Sequence, residues 1–564
     1  MKRVPQEKLR PRITAAALLA LTVAVGLPPI LQAQSPAGGS SAQVGAGADK
    51  LIGTAARSHG ASAALAQLYG AGGSTLLWSR DGTPTPQAGA LLGELKDAAT
   101  YGLRVEDYAP SQISSLLDGL PAPGPGRDQR LAQFDARLSA EALRFISDLH
   151  FGRVSPEAAG FKLEDAREPF DLVQALHNLA DGPDVAASLT SVEPVFYHYK
   201  LLKDALAHYR KIAPQADPSA LPLIQKSVKV GDAYPGAPQL RRLLEVLGDL
   251  PAGTDPASSD LTFDTALSGG VKNFQERHGL TADGVLGKGT VTALRTPMAR
   301  RIRQITLTLE RWRWLAPFKT PPIIVNIPQF RLFAFRTTED RVADILQMDV
   351  IVGRTFASAQ TPVFEGNMRY VVLRPYWDVP YSITKREMLP KIQANPGYLA
   401  RQRLELVNGQ GDNSPVVPPT PQNLELLTAG KLRLRQQPGE DNALGLAKFI
   451  FPNSYNVYLH STPAHRLFQE SVRAFSHGCI RVADPLALAA LVLKDVPGDW
   501  TREKIQAAME GSKDSVRVNL TQPINVLILY ATALATEDGS VLFFDDIYGY
   551  DQKLERELGL APVH

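Results

Sequence analysis

One cysteine, Cys479, stands in 564 residues, so neither a disulfide nor a two-cysteine redox couple can form within the chain. Strong net charge is missing as well. The 60 Lys and Arg against 57 Asp and Glu leave +3, with no basic footprint broad enough for nucleic acid. Beyond the first thirty residues no apolar run is long enough to cross a bilayer. Heptads and short tandem repeats are lacking, and low complexity is confined to "SPAGGSSAQVGAGA". What remains is an ordinary globular composition, long enough for three or four domains with real cores.

The opening "MKRVPQEKLRPRITAAALLALTVAVGLPPILQAQ" runs from a basic stretch ending at Arg12, through apolar Ile13 to Ile30, to small Ala33. That order is the layout of a secretory signal, residues 1–33. The alternative is an uncleaved membrane anchor, and only then does a membrane enter as a partner. Either reading exports the rest of the chain, with residues 34–50 as a flexible tether. Exported cysteines usually pair. A lone one is an intermolecular bridge, a reactive group, or an inert buried side chain.

Residues 51–230 read as a helical scaffold. "DARLSAEALRFISDLHFGRV" spaces Leu138, Ala142, Phe145, Ile146 and Leu149 along one helix face, and "FYHYKLLKDALAHYRKIAP" does the same with Tyr199, Leu202, Leu206 and Tyr209. His150, His198 and His208 lie in these helices without a carboxylate or cysteine cluster, and read as packing or surface residues. Residues 231–297 hold "FQERHGLTADGVLGKGT", a helix stopped at Gly279 and a Gly-rich turn into another helix near Thr290. Gln275, Gly279, Leu280, Asp283, Gly284, Gly287 and Thr290 fall at the spacing of the three-helix peptidoglycan-binding family, which this part resembles from Ala233 to Arg295. A spacer with the same fold and no ligand is the other reading.

After the helix "MARRIRQITLTLERWRWL" the period changes to two. "PPIIVNIPQFRLFAF" and "DILQMDVIVGR" read as a β-hairpin, and "MRYVVLRPYWDVP" and "FPNSYNVYLHSTP" as further strands. Residues 298–500 form the expected catalytic domain, interrupted by an insertion over 383–441. A long excursion inside a β domain suits a lid. Its helix "TKREMLPKIQANPGYL" offers Met388, Leu389 and Ile392 as an apolar face to close on a site, and "NGQGDNSPVVPPTP" offers a flexible arm. Residues 501–564 are expected to pack on this domain as C-terminal strands.

Cys479 lies in "AFSHGCIRV", and His460 closes the strand "NVYLH". A thiol becomes a nucleophile when a neighbour takes its proton. His460 is the candidate base. No acid is adjacent to it, so the Ser461 backbone carbonyl is the candidate group to orient it. Gly478 allows close approach of backbone to substrate, and amides near it are candidate oxyanion donors. Fifteen residues separate His460 from Ser476. "HSTP" followed by "SHGCIRV" resembles the L,D-transpeptidases with a YkuD-type catalytic domain, in their large periplasmic Gram-negative branch.

The resemblance implies a multidomain α+β fold: helical scaffold, three-helix peptidoglycan-binding-like domain, and mainly β catalytic domain with a lid. It implies Cys479 as nucleophile, His460 as base and acid, and His477 as an assistant near the oxyanion or substrate. Ser476, Arg481, Tyr458 and Trp377 become candidates for substrate contact. Arg481 either pairs with a stem-peptide carboxylate or holds the loop, and Tyr458 and Trp377 either wall the pocket or pack in the core. No metal or cofactor is implied. Peptidoglycan tetrapeptide stems are the implied donor and acceptor, with other cell-wall synthesis proteins as further partners and the periplasm as the location. Rival readings are an L,D-carboxypeptidase or a lipoprotein-attaching enzyme using the same thioester, a non-catalytic wall-binding scaffold, and a zinc hydrolase built on His460, His465, His477 and Cys479.

Overall fold

The computed structural model describes residues 60–69, 76–163, 167–253, 261–338, 341, 345–395 and 397–563. The expected signal and tether, residues 1–50, lie outside them. Helix α1 (Pro125–Phe151) buries the stripe of Leu138, Ala142, Phe145, Ile146 and Leu149 against Leu65, Leu91, Leu176 and Leu189. α2 (Tyr197–Ile212), α3 (Thr265–Arg277) and α4 (Met298–Trp312) follow. α2 turns its apolar side to α4, where Tyr199, Leu202 and Leu206 share a core with Ile305, Leu309 and Trp312. The helical region expected over 51–230 therefore feeds several separate cores. His150 stacks on Phe170 and His198 lies parallel to Trp312.

α4 reads as a basic segment, yet Arg311 and Arg313 are buried. Arg311 pairs with Asp551 at 2.6 Å and Arg313 with Glu310 at 3.1 Å. Glu310 also accepts the Arg153 amide at 2.5 Å. These bonds tie the end of α1, α4 and the C-terminal helix Tyr550–Glu557 into one body.

In the three-helix unit, α3 stands with helices Ala237–Leu247 and Lys288–Leu294. Gln275, Gly284 and Thr290, three of the residues that carried its resemblance, are buried. Gln275 Nε2 donates to Asp283 Oδ1 at 2.9 Å, the Val285 carbonyl at 3.0 Å and Thr290 Oγ1 at 3.1 Å, while its Oε1 accepts the Gly284 amide at 2.8 Å. One buried amide thus fastens the Gly-rich turn to both helices. Gln275→Ala would leave these groups unpaired, which costs about 1–3 kcal/mol. The expected result is a lower thermal unfolding midpoint of this unit, measured by calorimetry, with Cys479 alkylation unchanged. Arg277 reaches the Val541 carbonyl at 2.7 Å and His278 stacks on Phe543, so the unit docks on the C-terminal part of the chain.

The β domain begins with β1 (Ile323–Asn326), β2 (Arg331–Ala334), β3 (Leu346–Gly353) and β4 (Phe364–Leu373). The stretch from Pro321 to Phe335, expected as one hairpin arm, divides into two strands. Pro328 has no N–H for a ladder, and Phe330 takes a φ of 55°, so the chain turns there. Then come β5 (Trp377–Val379), β6 (Leu404–Val407), β7 (Val416–Val417), β8 (Arg433–Gln436) and β9 (Ala447–Ile450). β10 (Leu459–His460), β11 (Ala474–Ser476), β12 (Ile480–Val482) and β13 (Val516–Leu529) complete the set. The main sheet runs β11-β3-β12-β10-β9-β4-β13-β1-β2, and β2 also pairs with β3, closing it on itself. Val325, Leu332, Val350, Phe449, Leu459 and Ile528 fill its interior. β13 lies between β4 and β1. Residues 501–564 therefore do not merely pack on a domain that ends at residue 500; they supply one of its central strands.

β5, β8, β6 and β7 form a second sheet outside the first. Leu373 at the end of β4 and Ala447 at the start of β9 are direct partners, so everything between them is inserted at one hairpin tip. The insertion expected over 383–441 is thus residues 374–446. It is a folded unit with its own core, including Val379, Leu406, Leu427 and Leu434. Leu389 and Ile392 are buried in that core and Met388 packs against it, so this face does not close on the site. The polar run expected as a flexible arm contains β7, and its Asp412 accepts a hydrogen bond from Ser515 of the main domain.

Candidate active site

Between β11 and β12 only His477, Gly478 and Cys479 are left to turn the chain. Gly478 takes a φ of 119°, open to glycine alone. Ser476 Oγ accepts the Gly478 amide at 3.1 Å and donates to the Cys479 carbonyl at 2.5 Å. Thr361 Oγ1 donates to the Gly478 carbonyl and accepts the Gly353 amide, both at 2.8 Å. Tyr548 backs this arrangement, donating to the Gly353 carbonyl at 2.6 Å. Cys479 emerges half-buried, its Sγ 3.7 Å from the Asn456 carbonyl. Ser476, expected to contact substrate, is instead buried and spent on the turn, and so is the Gly478 amide expected near an oxyanion.

β10 and β12 run parallel, with His460 opposite Arg481. The Ile480 amide donates to the Tyr458 carbonyl at 3.1 Å, which sets Tyr458 beside Cys479. The Tyr458 ring stands edge-on to His460 with 5.6 Å between centroids. His460 is buried, and its Nδ1 lies 2.5 Å from the Ser461 carbonyl. A carbonyl only accepts, so Nδ1 carries the proton and Nε2 the lone pair. Burial, then the charge on Arg481, brings the imidazole from its ordinary value down to about 3. It is neutral throughout the physiological range. The thiol's hydrogen bond goes to Asn456 rather than to His460; such catalytic contacts commonly tighten only with substrate in place.

Burial pushes the Cys479 thiol up, and Tyr458, Lys448 and Arg481 pull it back. The Tyr458 hydroxyl is raised well above its usual value by burial and by the neighbouring sulfur, so it stays a donor. Arg481 Nε is buried with no hydrogen-bond partner among the described residues.

Residues 321–515 match the family model of the L,D-transpeptidase catalytic domain. This unit is similar to the L,D-transpeptidase catalytic domain. Residues 235–294 match a model described as "Putative peptidoglycan binding domain", and residues 63–206 one described as "Scaffold domain". The chain is 33% identical over 263 residues to a Haemophilus influenzae protein named "Putative L,D-transpeptidase", an alignment covering 46% of this chain and 50% of that protein. It therefore spans about half the length of that relative. Together with the fold, these matches show a multidomain α+β protein with a helical scaffold, a peptidoglycan-binding-type unit and a β-rich transpeptidase domain.

Within the transpeptidase domain, the insertion reaches the Cys479 turn through one acidic side chain. Glu387 Oε1 lies 2.7 Å from His477 Nε2, with Arg354 Nη1 3.4 Å from the same nitrogen. His477, expected to assist near the oxyanion or substrate, is thus brought to the insertion instead. Trp377, expected either to wall the pocket or to pack in the core, packs against the insertion's own core. Strand alternation turns its neighbour Asp378 the other way, toward Lys448 and Tyr458.

Lys448 was not anticipated. It is the cross-strand partner of His460, and its Nζ sits 4.2 Å from the centre of the Tyr458 ring. The available signal was a single cation inside the apolar run "AKFIF". Thr361, Arg354 and Glu387 were missed as well, because only tertiary folding brings them to Cys479. Among the described residues, no group of three His, Cys, Asp or Glu side chains could hold a metal ion.

Proposed function

We propose that this protein is a cysteine-dependent L,D-transpeptidase that forms 3→3 cross-links between peptidoglycan stems. The observation that carries this reading is a match to the transpeptidase catalytic domain in which the Cys479 turn leads into β12, the parallel neighbour of the strand that carries buried, neutral His460. Sγ attacks the carbonyl between the third residue of a tetrapeptide stem, a diamino acid, and the terminal D-alanine. The proton on sulfur passes to His460 Nε2, and the Sγ–C bond forms from the resulting thiolate. The C–N bond then breaks, and His460 returns that proton to the departing D-alanine amine. A side-chain amine of a second stem attacks the thioester, His460 takes its proton, and the proton ends on Sγ as the thiol leaves.

The Cys479 amide is the candidate donor to the oxyanion, and Arg481 with its unpartnered Nε the candidate partner of a stem carboxylate. The three-helix unit supports peptidoglycan as the larger partner. Export to the periplasm rests on the basic, apolar and small residue order of positions 1–33. No helix among the described residues is long and apolar enough to cross a membrane.

The test is to incubate the purified full-length chain with disaccharide-tetrapeptide and weigh the products. A dimer lighter by one D-alanine, with an acyl adduct on Cys479, supports the reading. Tripeptide alone would make water the acceptor and the protein a carboxypeptidase.

The electrostatics add an expected pH profile. His460 titrates at about 3 instead of near 6.5, and the Cys479 thiol is raised. The acylation kcat/KM, which reports free-enzyme groups, should climb with the thiolate fraction across the neutral and mildly alkaline range. No inflection is expected near the ordinary imidazole value. A wild-type inflection near 6.5 that vanishes in His460→Asn would contradict the neutral histidine.

A further inference from the structure

We infer that the ammonium of Lys448, assisted by Arg481, is the counter-ion of the Cys479 thiolate once it forms, and that His460 relays protons without holding the charge. The inference rests on Cys479 being the nucleophile, as proposed above.

The geometry begins with strand register. Lys448 on β9 and His460 on β10 are direct antiparallel partners, so their side chains leave the same face of the sheet. His460 is in turn the parallel partner of Arg481 on β12. Two cations therefore flank the imidazole from its two neighbouring strands. The Lys448 ammonium rests on the Tyr458 ring, 4.2 Å from its centre, a contact that fixes where its charge sits. Tyr458 itself is fastened beside Cys479 by the Ile480 amide.

The charges then favour one pattern. The groups facing the thiol are Tyr458, Lys448 and Arg481. The groups facing His460 are Arg481, Lys448 and the carbonyls of Ser461 and Leu444. Both cations stabilise a thiolate and both oppose an imidazolium. A cysteine–histidine ion pair is thus the less favourable arrangement here, and a thiolate–ammonium pair the more favourable one. Besides Cys479, Lys448 faces Asp378 and Asp412 of the insertion. Asp378 is paired with Arg433, and Asp412 is bonded by Ser515. Burial lowers the lysine, and these three negative groups hold it up. In the reaction the sulfur proton passes through His460 Nε2 to the departing amine, and Lys448 keeps all three of its protons. It acts through the sulfur, as a positioning residue.

The single cysteine makes the test clean, because alkylation of the whole chain reads Cys479 alone. Iodoacetamide rates are measured from about pH 5 to about pH 10 for the wild type, Lys448→Met, Lys448→Gln, Lys448→Arg and His460→Asn. Thermal melts check that each is folded. Lys448→Met and Lys448→Gln should slow alkylation at neutral pH by about tenfold, equivalent to one unit of thiol titration, and move the profile to higher pH. Lys448→Arg should keep the wild-type profile, and His460→Asn should leave its midpoint in place. A folded Lys448→Gln that alkylates like wild type would overturn the inference. So would a His460→Asn profile displaced upward, which would make the imidazolium the counter-ion. Failure of the proposed function is a separate outcome, read by turnover in Cys479→Ala, which cannot be alkylated at all.

Discussion

Cys479→Ala will form no acyl-enzyme and no cross-linked dimer, and His460→Ala will lose about a thousandfold or more in acylation rate. Groups that act as a unit in covalent catalysis lose nearly the whole effect when either is removed. The two losses differ in kind. Without Sγ there is no atom to carry the acyl group. Without His460 the thiol remains, but nothing takes its proton or returns it to the leaving amine. Neither loss should come from unfolding. The Cys479 turn is held by Ser476, Thr361 and Gly478, none of which needs the sulfur. His460→Asn keeps a donor in the neighbourhood of the Ser461 carbonyl and serves as the gentler control. Intact-mass detection of the acyl adduct, with thermal melts of each variant, checks the prediction. Near-normal turnover by Cys479→Ala would remove the thioester mechanism.

The parts of this site legible in the sequence are those set by neighbours along the chain. The turn at Gly478, the thiol after it and the carbonyl next to His460 each involve residues one to three positions apart. The stripes of α1 and α2 were equally plain, since helix contacts repeat locally. What was hidden depends on which strands meet. Lys448 acquires its place only because β9 pairs with β10, and Thr361 only because the loop after β3 folds under the turn. Trp377 looked like the continuation of a strand into the site, but Arg374 takes a φ of 53° and Pro375 follows, so the chain leaves the main sheet before the tryptophan. The central place of β13 could not be read from its own alternation, because register with β4 and β1 is a long-range choice. In the three-helix unit the motif was read correctly as a pattern. Gln275, Asp283, Gly284 and Thr290 of that motif are spent on an internal network, so they mark the fold.

Removing the outer part of the insertion should turn the enzyme from amine transfer toward hydrolysis, raising the ratio of tripeptide to dimer by about tenfold while acylation persists. The neck of the insertion says where to cut. Asn442 Nδ2 donates to the Pro375 carbonyl at 3.3 Å, so residues 376–441 can be replaced by a short Gly-rich turn joining Pro375 to Asn442. Residues 442–446 must stay. The Leu444 carbonyl bonds His460, and a side chain at Gly445 would collide with Ser461. The outer unit has its own core, so its removal exposes little of the main one. The attachments to the site region that are lost include Glu387 against His477, Asp412 against Ser515, and the fields of Asp378 and Asp412 at Lys448. The first is a half-exposed contact between Glu387 and His477, weak enough to open for substrate. With the lid gone, water reaches the thioester freely and the acceptor stem loses contacts that aim its amine. Glu387→Gln, which breaks only the first attachment, should move the product ratio in the same direction by a few-fold. Product ratios from disaccharide-tetrapeptide, read by mass for both variants, decide the matter. An unchanged ratio in a folded trimmed protein would mean that the insertion does not govern the acceptor.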